Sequence, residues 1–249
     1  MTEGGPHPDP VKEGGRVVDA AAERGVPLRL VGGVAVAVRC PSASSSPLRR
    51  EYGDIDLVTI GSGRDGTVEL MGGLGYAADR EFNTLHGHRR LFFWDEANQR
   101  QVDVFVDEAR LCHTIDFRGR LQASPQTLGL ADLMLMKLQV VETNEKDLLD
   151  ICAILADHDL SEDEGGVNSA YLASLAAADW GLWRTLEMVS ERAAEFALAL
   201  PGFDSGELVA ERLRRLRAAL EEAPKTRGWK MRARIGERKR WYELPEEVH

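Results

Sequence analysis

Cysteine is scarce in this 249-residue chain. Cys40, Cys112 and Cys152 stand far apart, and no CxxC pair occurs. Three scattered thiols exclude a full disulfide framework and a cysteine-pair zinc site. Small buried hydrophobes in a reducing cytoplasm are their expected role. Long apolar runs are missing too. Residues 26–38 and 128–141 are the longest, and Arg29, Asp132 and Lys137 interrupt them, so no membrane span is expected. The first fifteen residues lack a basic start followed by an apolar block, and no secretory signal is expected. No internal repeat is visible. What remains is ordinary for a soluble globular chain, 43% hydrophobic and 29% charged, long enough for one large domain or two small ones.

The net charge of −10 is unevenly spread. Residues 225–249 carry eight Lys/Arg against four Glu, which leaves +4, so residues 1–224 hold −14. An acidic body argues against wholesale wrapping of DNA. A basic end leaves room for a local phosphate or RNA contact.

The Gly/Pro-rich start to about Pro10 should be loose. Residues 11–24 can form a helix despite Gly14 and Gly15, and Gly25-Val26-Pro27 breaks it. Leu28-Arg29-Leu30-Val31 reads as a strand, followed by Gly32-Gly33 and a helix from Val34. Residues 40–47 are a loop and residues 55–60 a second strand. Residues 67–74 suggest a short helix. Residues 90–94 and 101–106 suggest a hairpin, and residues 113–121 a further strand or extended crossover. Beyond Ser124-Pro125 the pattern is helical, over residues 128–141, 144–157, 169–178, 182–198 and 207–222.

Asp54-Ile55-Asp56-Leu57-Val58 places two carboxylates on one face of a strand, with Ile55 on the other. Side by side at ~4 Å, with an effective dielectric near 20, like charges repel by roughly 4 kcal/mol. A divalent cation with oxygen ligands would remove that cost. A DxD pair alone is weak evidence, since Asp157-His158-Asp159 is a second one and reads as solvated surface. Asp103 adds to the case. Val102, Val104 and Val106 share a face, so Asp103 points the other way, and a carboxylate among apolar neighbours needs solvent, a partner or a metal. Taken alone, an exposed edge-strand face explains it equally well. Gly32-Gly33, after a strand and before a helix, could admit phosphate to free backbone N–H groups. A plain tight connection is the simpler account of the glycines by themselves. The order is more specific than any element: strand, Gly-Gly, helix, strand with two Asp, later strand with a third.

With Leu30-Val31-Gly32-Gly33-Val34-Ala35, Gly53-Asp54-Ile55-Asp56-Leu57-Val58 and Val102-Asp103-Val104-Phe105, the chain resembles the DNA polymerase β-like nucleotidyltransferase superfamily. Leu133-Met134-Leu135-Met136-Lys137-Leu138-Gln139 and Asn144-Glu145-Lys146-Asp147-Leu148-Leu149-Asp150 are similar to later motifs of its bacterial AbiEii-type (toxin-like) group. The resemblance covers about residues 26–157. Many superfamily members have Gly-Ser where this chain has Gly32-Gly33, and the gap from Gly33 to Asp54 is longer than the shortest family spacing.

The resemblance implies an α/β fold, a mixed sheet with flanking helices followed by a helical C-terminal region. The implied domains are a catalytic domain over residues 1–124, a helical domain over 125–224 completing the nucleotide cleft, and a basic aromatic segment over 225–249. It implies a cytoplasmic, NTP-dependent, pyrophosphate-releasing enzyme, with ATP among its candidate substrates. Asp54, Asp56 and Asp103 would be catalytic and hold two Mg²⁺ ions. Gly32, Gly33, Lys137 and Asp147 would bind the nucleotide. The acceptor stays open between RNA or tRNA, as in toxin–antitoxin systems with a cognate antitoxin protein, and a small molecule such as an aminoglycoside. A catalytically idle binding module is a further alternative.

Other residues have plainer readings. Lys137 could snorkel from an apolar helix. Asp147, three residues after Asn144, could serve a helix cap. Asp150 reads as a surface acid, and Arg49, Arg50, Arg89 and Arg90 could touch phosphate but read better as solvated surface. His86-Gly87-His88 reads as polar loop, and His113 and His158 have no evident role. Trp180 and Trp183 should anchor helices. Trp229, Trp241 and Tyr242, set among basic residues, could stack on bases, but Trp229, Met231, Ala233 and Ile235 also alternate like a strand packing on the body.

Overall fold

The computed structural model describes residues 5–244. Residues 1–4 and 245–249, the last five of the basic segment among them, lie outside the described residues. The chain divides into two units. One comprises Met1–Arg39, Glu51–Ala109 and Ile115–Gly129, and the other Cys40–Arg50, Arg110–Thr114 and Leu130–His249.

In the first unit, helix α1 (Pro10–Glu23) starts where Asp9 caps it. The carboxylate accepts from the N–H groups of Val11 and Lys12, and Pro10 sits in the first turn. Val17, Val18 and Ala21 form its buried stripe. Gly14 permits close packing: a Cβ there would lie 2.9 Å from side-chain atoms of both Leu30 and Val34. The segment before α1 is not loose. Asn98 donates to the carbonyl of Pro6, Arg100 to those of His7 and Pro8, and the His7 N–H to Glu13. The tether belongs to a buried Asp95–Arg100 ion pair (2.6 Å) far along the chain, so local composition could not show it.

Five strands run in the order β1-β2-β5-β4-β3: β1 (Leu28–Val31), β2 (Asp54–Thr59), β3 (Ala77–Ala78), β4 (Arg90–Asp95) and β5 (Arg100–Val106). Strands β4 and β5 form the expected antiparallel hairpin, whereas β2 and β5 are parallel. Strand β1 is antiparallel to β2, with Val31 opposite Asp56. Apolar Ile55, Leu57, Val102, Val104, Leu91 and Phe93 are all buried, as a sheet core requires. Helix α2 (Gly32–Arg39) follows β1 without a loop, and α3 (Arg64–Gly73) follows β2. The helix α4 (Arg80–His86), capped by Asp79, has no buried residue and hence no apolar stripe to betray it in the sequence. The expected strand over residues 113–121 is confined to Thr114–Asp116, beyond which Gly119 turns at φ 81.

The second unit is helical. Helix α5 (Leu130–Leu138) is buried at every position except Lys137, Asp132 included, as a mostly apolar helix of a core requires. It is followed by α6 (Glu145–Asp157), α7 (Ser169–Ala178), α8 (Trp180–Ala199) and α9 (Gly206–Glu222). Asn144, Asn168 and Asp179 cap α6, α7 and α8 through side-chain oxygens. Leu182, Leu186, Val189 and Ala193 of α8, and Val209, Leu213, Leu216 and Leu220 of α9, make the buried helical stripes. The C-terminal segment is not a strand. It opens with α10 (Arg227–Ala233), capped by Thr226, whose hydroxyl accepts from the Trp229 N–H at 3.1 Å. Met231 and Ile235 remain 69% and 45% exposed, so the alternating stripe is not used. Trp229 instead meets Trp183 edge to face at 5.2 Å, and Trp180 is buried in the anchoring role expected of it.

Candidate active site

The site is built where β1 turns into α2. Gly32 adopts φ 71, the left-handed region that favours glycine, and a Cβ on it would stand 2.2 Å from Oδ2 of Asp56. The Gly32 backbone therefore lies directly against the Asp56 carboxylate. This is a physical reason for glycine at that position that a tight turn alone would not give.

Asp54 and Asp56 project from the same face of β2, as the period of two requires. Asp54 is exposed and Asp56 half-buried. In the parallel β2–β5 register, Asp56 is directly opposite Asp103 and Asp54 opposite Gln101. Adjacent strands lie about 4.8 Å apart, so the three carboxylates share one small area of sheet. The alternative of an exposed edge does not apply to Asp103: β5 is an inner strand and Asp103 is 2% exposed.

Asp103 is held from two sides. Arg90 Nε donates to Oδ1 at 2.7 Å, and Gln101 Nε2 donates to Oδ2 at 2.6 Å. Arg90 is thus a correction to its reading as solvated surface. In the hairpin register Arg90 opposes Phe105 and Phe92 opposes Asp103, which leaves Arg90 the diagonal neighbour of the carboxylate. Gln101 lies two residues before Asp103 on the same face. Gln101 was not singled out from sequence. The signal was the hairpin itself, since closing it at Asp95 and Arg100 fixes the partner of every residue in both strands.

As the side chains lie, no group of three His, Cys, Asp or Glu among the described residues stands close enough to hold a metal ion. The donor set nevertheless suits a hard divalent cation: three carboxylates on one face, two of them in register, the third already carrying a cationic guanidinium.

Lys137 and Asp147 belong to the helical unit. Lys137 does not snorkel. Its ammonium lies 2.8 Å from Asp147 Oδ1 and 2.9 Å from Asp150 Oδ2, and its side chain is 12% exposed. Burial pulls its pKa down, but the two carboxylates outweigh burial and raise it to about 12. The Asp147 N–H is capped by Asn144, and its carboxylate accepts from Lys137, a pairing the sequence did not announce. Asp150 and Arg50 were read as surface groups, but Asp150 is buried and Arg50 half-buried beside it. Arg50 grips both oxygens of Asp150 at 2.8 and 2.7 Å. Two cations and two anions make this cluster neutral.

The remaining candidates are placed as follows. Asp157 accepts from the Ser42 N–H and Asp159 pairs with Arg212 and Arg215, so the second DxD is structural. His86 closes α4 against Phe82. His113 has a role after all: its Nε2 bonds the Thr185 hydroxyl at 2.9 Å, and burial lowers its pKa.

No family model matches the chain, and no curated protein matches it. Three solved structures are similar to it. The antibiotic-resistance factor ANT(2'')-Ia is 16% identical, with 65% of this chain and 90% of that chain covered and a TM-score of 0.36. A protein from H. pylori described as a nucleotidyltransferase is 10% identical, with 87% and 97% covered and a TM-score of 0.38. The STING-associated CdnE c-di-GMP synthase from Capnocytophaga granulosa is 14% identical, with 86% and 80% covered and a TM-score of 0.30.

Proposed function

We propose that the protein is a nucleotidyltransferase that moves a nucleoside monophosphate from an NTP to an acceptor hydroxyl. One observation carries this reading: Asp56 and Asp103 face each other in parallel strands, Asp54 shares their face, and Gly32 is packed against Asp56. Carboxylates gathered this way repel one another, and a purely structural site has no use for that cost. Asp54, Asp56 and Asp103 would hold Mg²⁺. When bound, the ions neutralise phosphate charge and lower the pKa of the attacking hydroxyl.

The chain's own groups do the rest. The half-buried Gly33 would present backbone to the phosphates, and the buried Gly32 lets the turn pass against Asp56. Arg90 and Gln101 fix the orientation of Asp103, so that it meets the acceptor without having to reorganise. The acceptor oxygen attacks the α-phosphorus, the bond to the β-phosphate oxygen breaks, and pyrophosphate leaves. The hydroxyl proton passes to a carboxylate oxygen of Asp103. Lys137 uses two of its three donors on Asp147 and Asp150.

RNA is the favoured acceptor because eight basic residues are concentrated in residues 225–240 of an otherwise acidic chain. A cationic small molecule such as an aminoglycoside is the second reading, favoured by that same acidic body. Control by a cognate antitoxin belongs to the first reading alone. The test is transfer of label from each of four α-labelled NTPs, with Mg²⁺, into total bacterial RNA and into an aminoglycoside panel. Label in RNA, lost in the Asp54→Ala/Asp56→Ala variant, is the expected result. Label only in small molecules would move the acceptor to the second reading. Equal transfer by variant and wild type would refute the site.

A further inference from the structure

The helical unit contains a cavity of about 550 Å³ walled by the folded C-terminal segment, with Cys112, His113 and Thr114 also lining it. Its aromatic walls are Trp180, Trp229, Trp241 and Tyr242, and its basic walls Arg232, Lys239 and Arg240. The rings form a ladder, with two edge contacts and one tilted contact. Tyr242 meets Trp241 at 5.4 Å, Trp241 meets Trp180 at 6.0 Å, and Trp180 meets Trp183 at 6.3 Å. Two cations sit over ring faces: Arg232 lies 4.6 Å from the centre of Trp180, and Arg240 5.0 Å from that of Tyr242.

A segment serving only to anchor the helices would bury these rings. Here Trp229, Trp241 and Tyr242 remain half-exposed around a void, and Lys239 and Arg240 are exposed at its rim. The acidic lining is largely committed. Asp179 accepts from the N–H groups of Gly181 and Leu182, which leaves Glu243 as the other carboxylate. His113, with its pKa lowered by burial, is a neutral polar group on the wall. Flat apolar faces beside fixed positive charge match a stacked base with its adjoining phosphate. An apolar peptide would leave Lys239 and Arg240 unanswered, whereas Arg232 already donates to the carbonyls of Gly236 and Lys239.

We infer that this cavity is a binding site for a nucleotide unit of single-stranded RNA. The inference deepens the acceptor reading above and rests on it for the purpose of binding, whereas the binding itself requires no NTP, metal or transfer.

The experiment is quenching of tryptophan fluorescence in the full chain by an unstructured oligoribonucleotide of about eight residues. A nucleoside monophosphate, inorganic phosphate and an RNA duplex are the comparison ligands. With three basic residues at the site, raising salt from 50 to 200 mM should weaken single-strand binding about 20-fold. In Lys239→Ala/Arg240→Ala, whose exposed side chains can be removed without touching the core, that loss should shrink to roughly 3-fold. Tyr242→Ala should weaken the oligonucleotide and leave the salt dependence unchanged. The Asp54→Ala/Asp56→Ala variant should bind as wild type does, which separates failure of this site from failure of the transferase reading. Four results would overturn the inference: no quenching, equal quenching by inorganic phosphate, equal affinity for duplex, or variants indistinguishable from wild type. Equal affinity for the free monophosphate would overturn the RNA chain as the ligand and assign the pocket to free nucleotides.

Discussion

At the scale of single residues, the site turns on what Gly32 lacks. Any side chain at φ 71 is strained, and a Cβ placed 2.2 Å from Asp56 Oδ2 must push that carboxylate out of register with Asp103. Gly32→Ala is therefore predicted to reduce transfer as severely as Asp56→Ala. Its stability should fall by only about 1–2 kcal/mol, the cost of the left-handed backbone. Urea unfolding beside the transfer assay checks both halves. A variant that loses activity only in proportion to stability would contradict the close approach. Asp54, Asp56 and Gly32 were legible in the sequence because spacing within one strand or turn fixes their geometry. Arg90 and Gln101 were not legible as partners of Asp103, because a diagonal contact across a hairpin needs the register first. Lys137 was legible as a buried lysine in need of a partner. Its partners Asp147 and Asp150 follow from the packing of two helices, which spacing does not give.

At the scale of elements, α1 is secured by a buried acid. Glu13 is fully buried and accepts from Arg16, from the Tyr76 hydroxyl and from the His7 N–H. Burial works to raise its pKa, but these hydrogen bonds outweigh burial and hold it below the usual value. A carboxyl whose pKa is lowered by folding stabilises the protein above its unfolded pKa. That contribution is lost as pH falls through the folded value. The wild type should therefore lose stability below about pH 4.5 more steeply than Glu13→Gln. At pH 7 the variant should be less stable by about 1–3 kcal/mol. Urea unfolding at pH 7 and pH 3 measures this, and a gap between the proteins that does not narrow at pH 3 would contradict it. The elements themselves were mostly foreseeable. The β4–β5 hairpin and helices α5 to α9 carry clear periodicity and caps. The misreadings have different causes, a local cap without an apolar stripe in two cases and a long-range partner in the third. Short α4 buries nothing, the start of the chain is held by Arg100, and α10 follows the Thr226 cap in place of an alternating stripe.

At the scale of the whole molecule, the uneven charge acquires structural meaning. The first unit carries Asp54, Asp56 and Asp103 on one sheet face, and the basic end folds against Trp180 and Trp183 in the helical unit. The central claim is that the three aspartates form a metal-dependent nucleotide site, and thermal unfolding tests it without knowledge of the acceptor. A ligand at a hundred times its Kd stabilises by about 2.7 kcal/mol, and a shift of several degrees is then expected. The account predicts that wild type gains this shift only when Mg²⁺ and an NTP are added together, and that Asp54→Ala/Asp56→Ala gains none. An equal shift in the double variant, or no shift in wild type with any of the four NTPs, would contradict it.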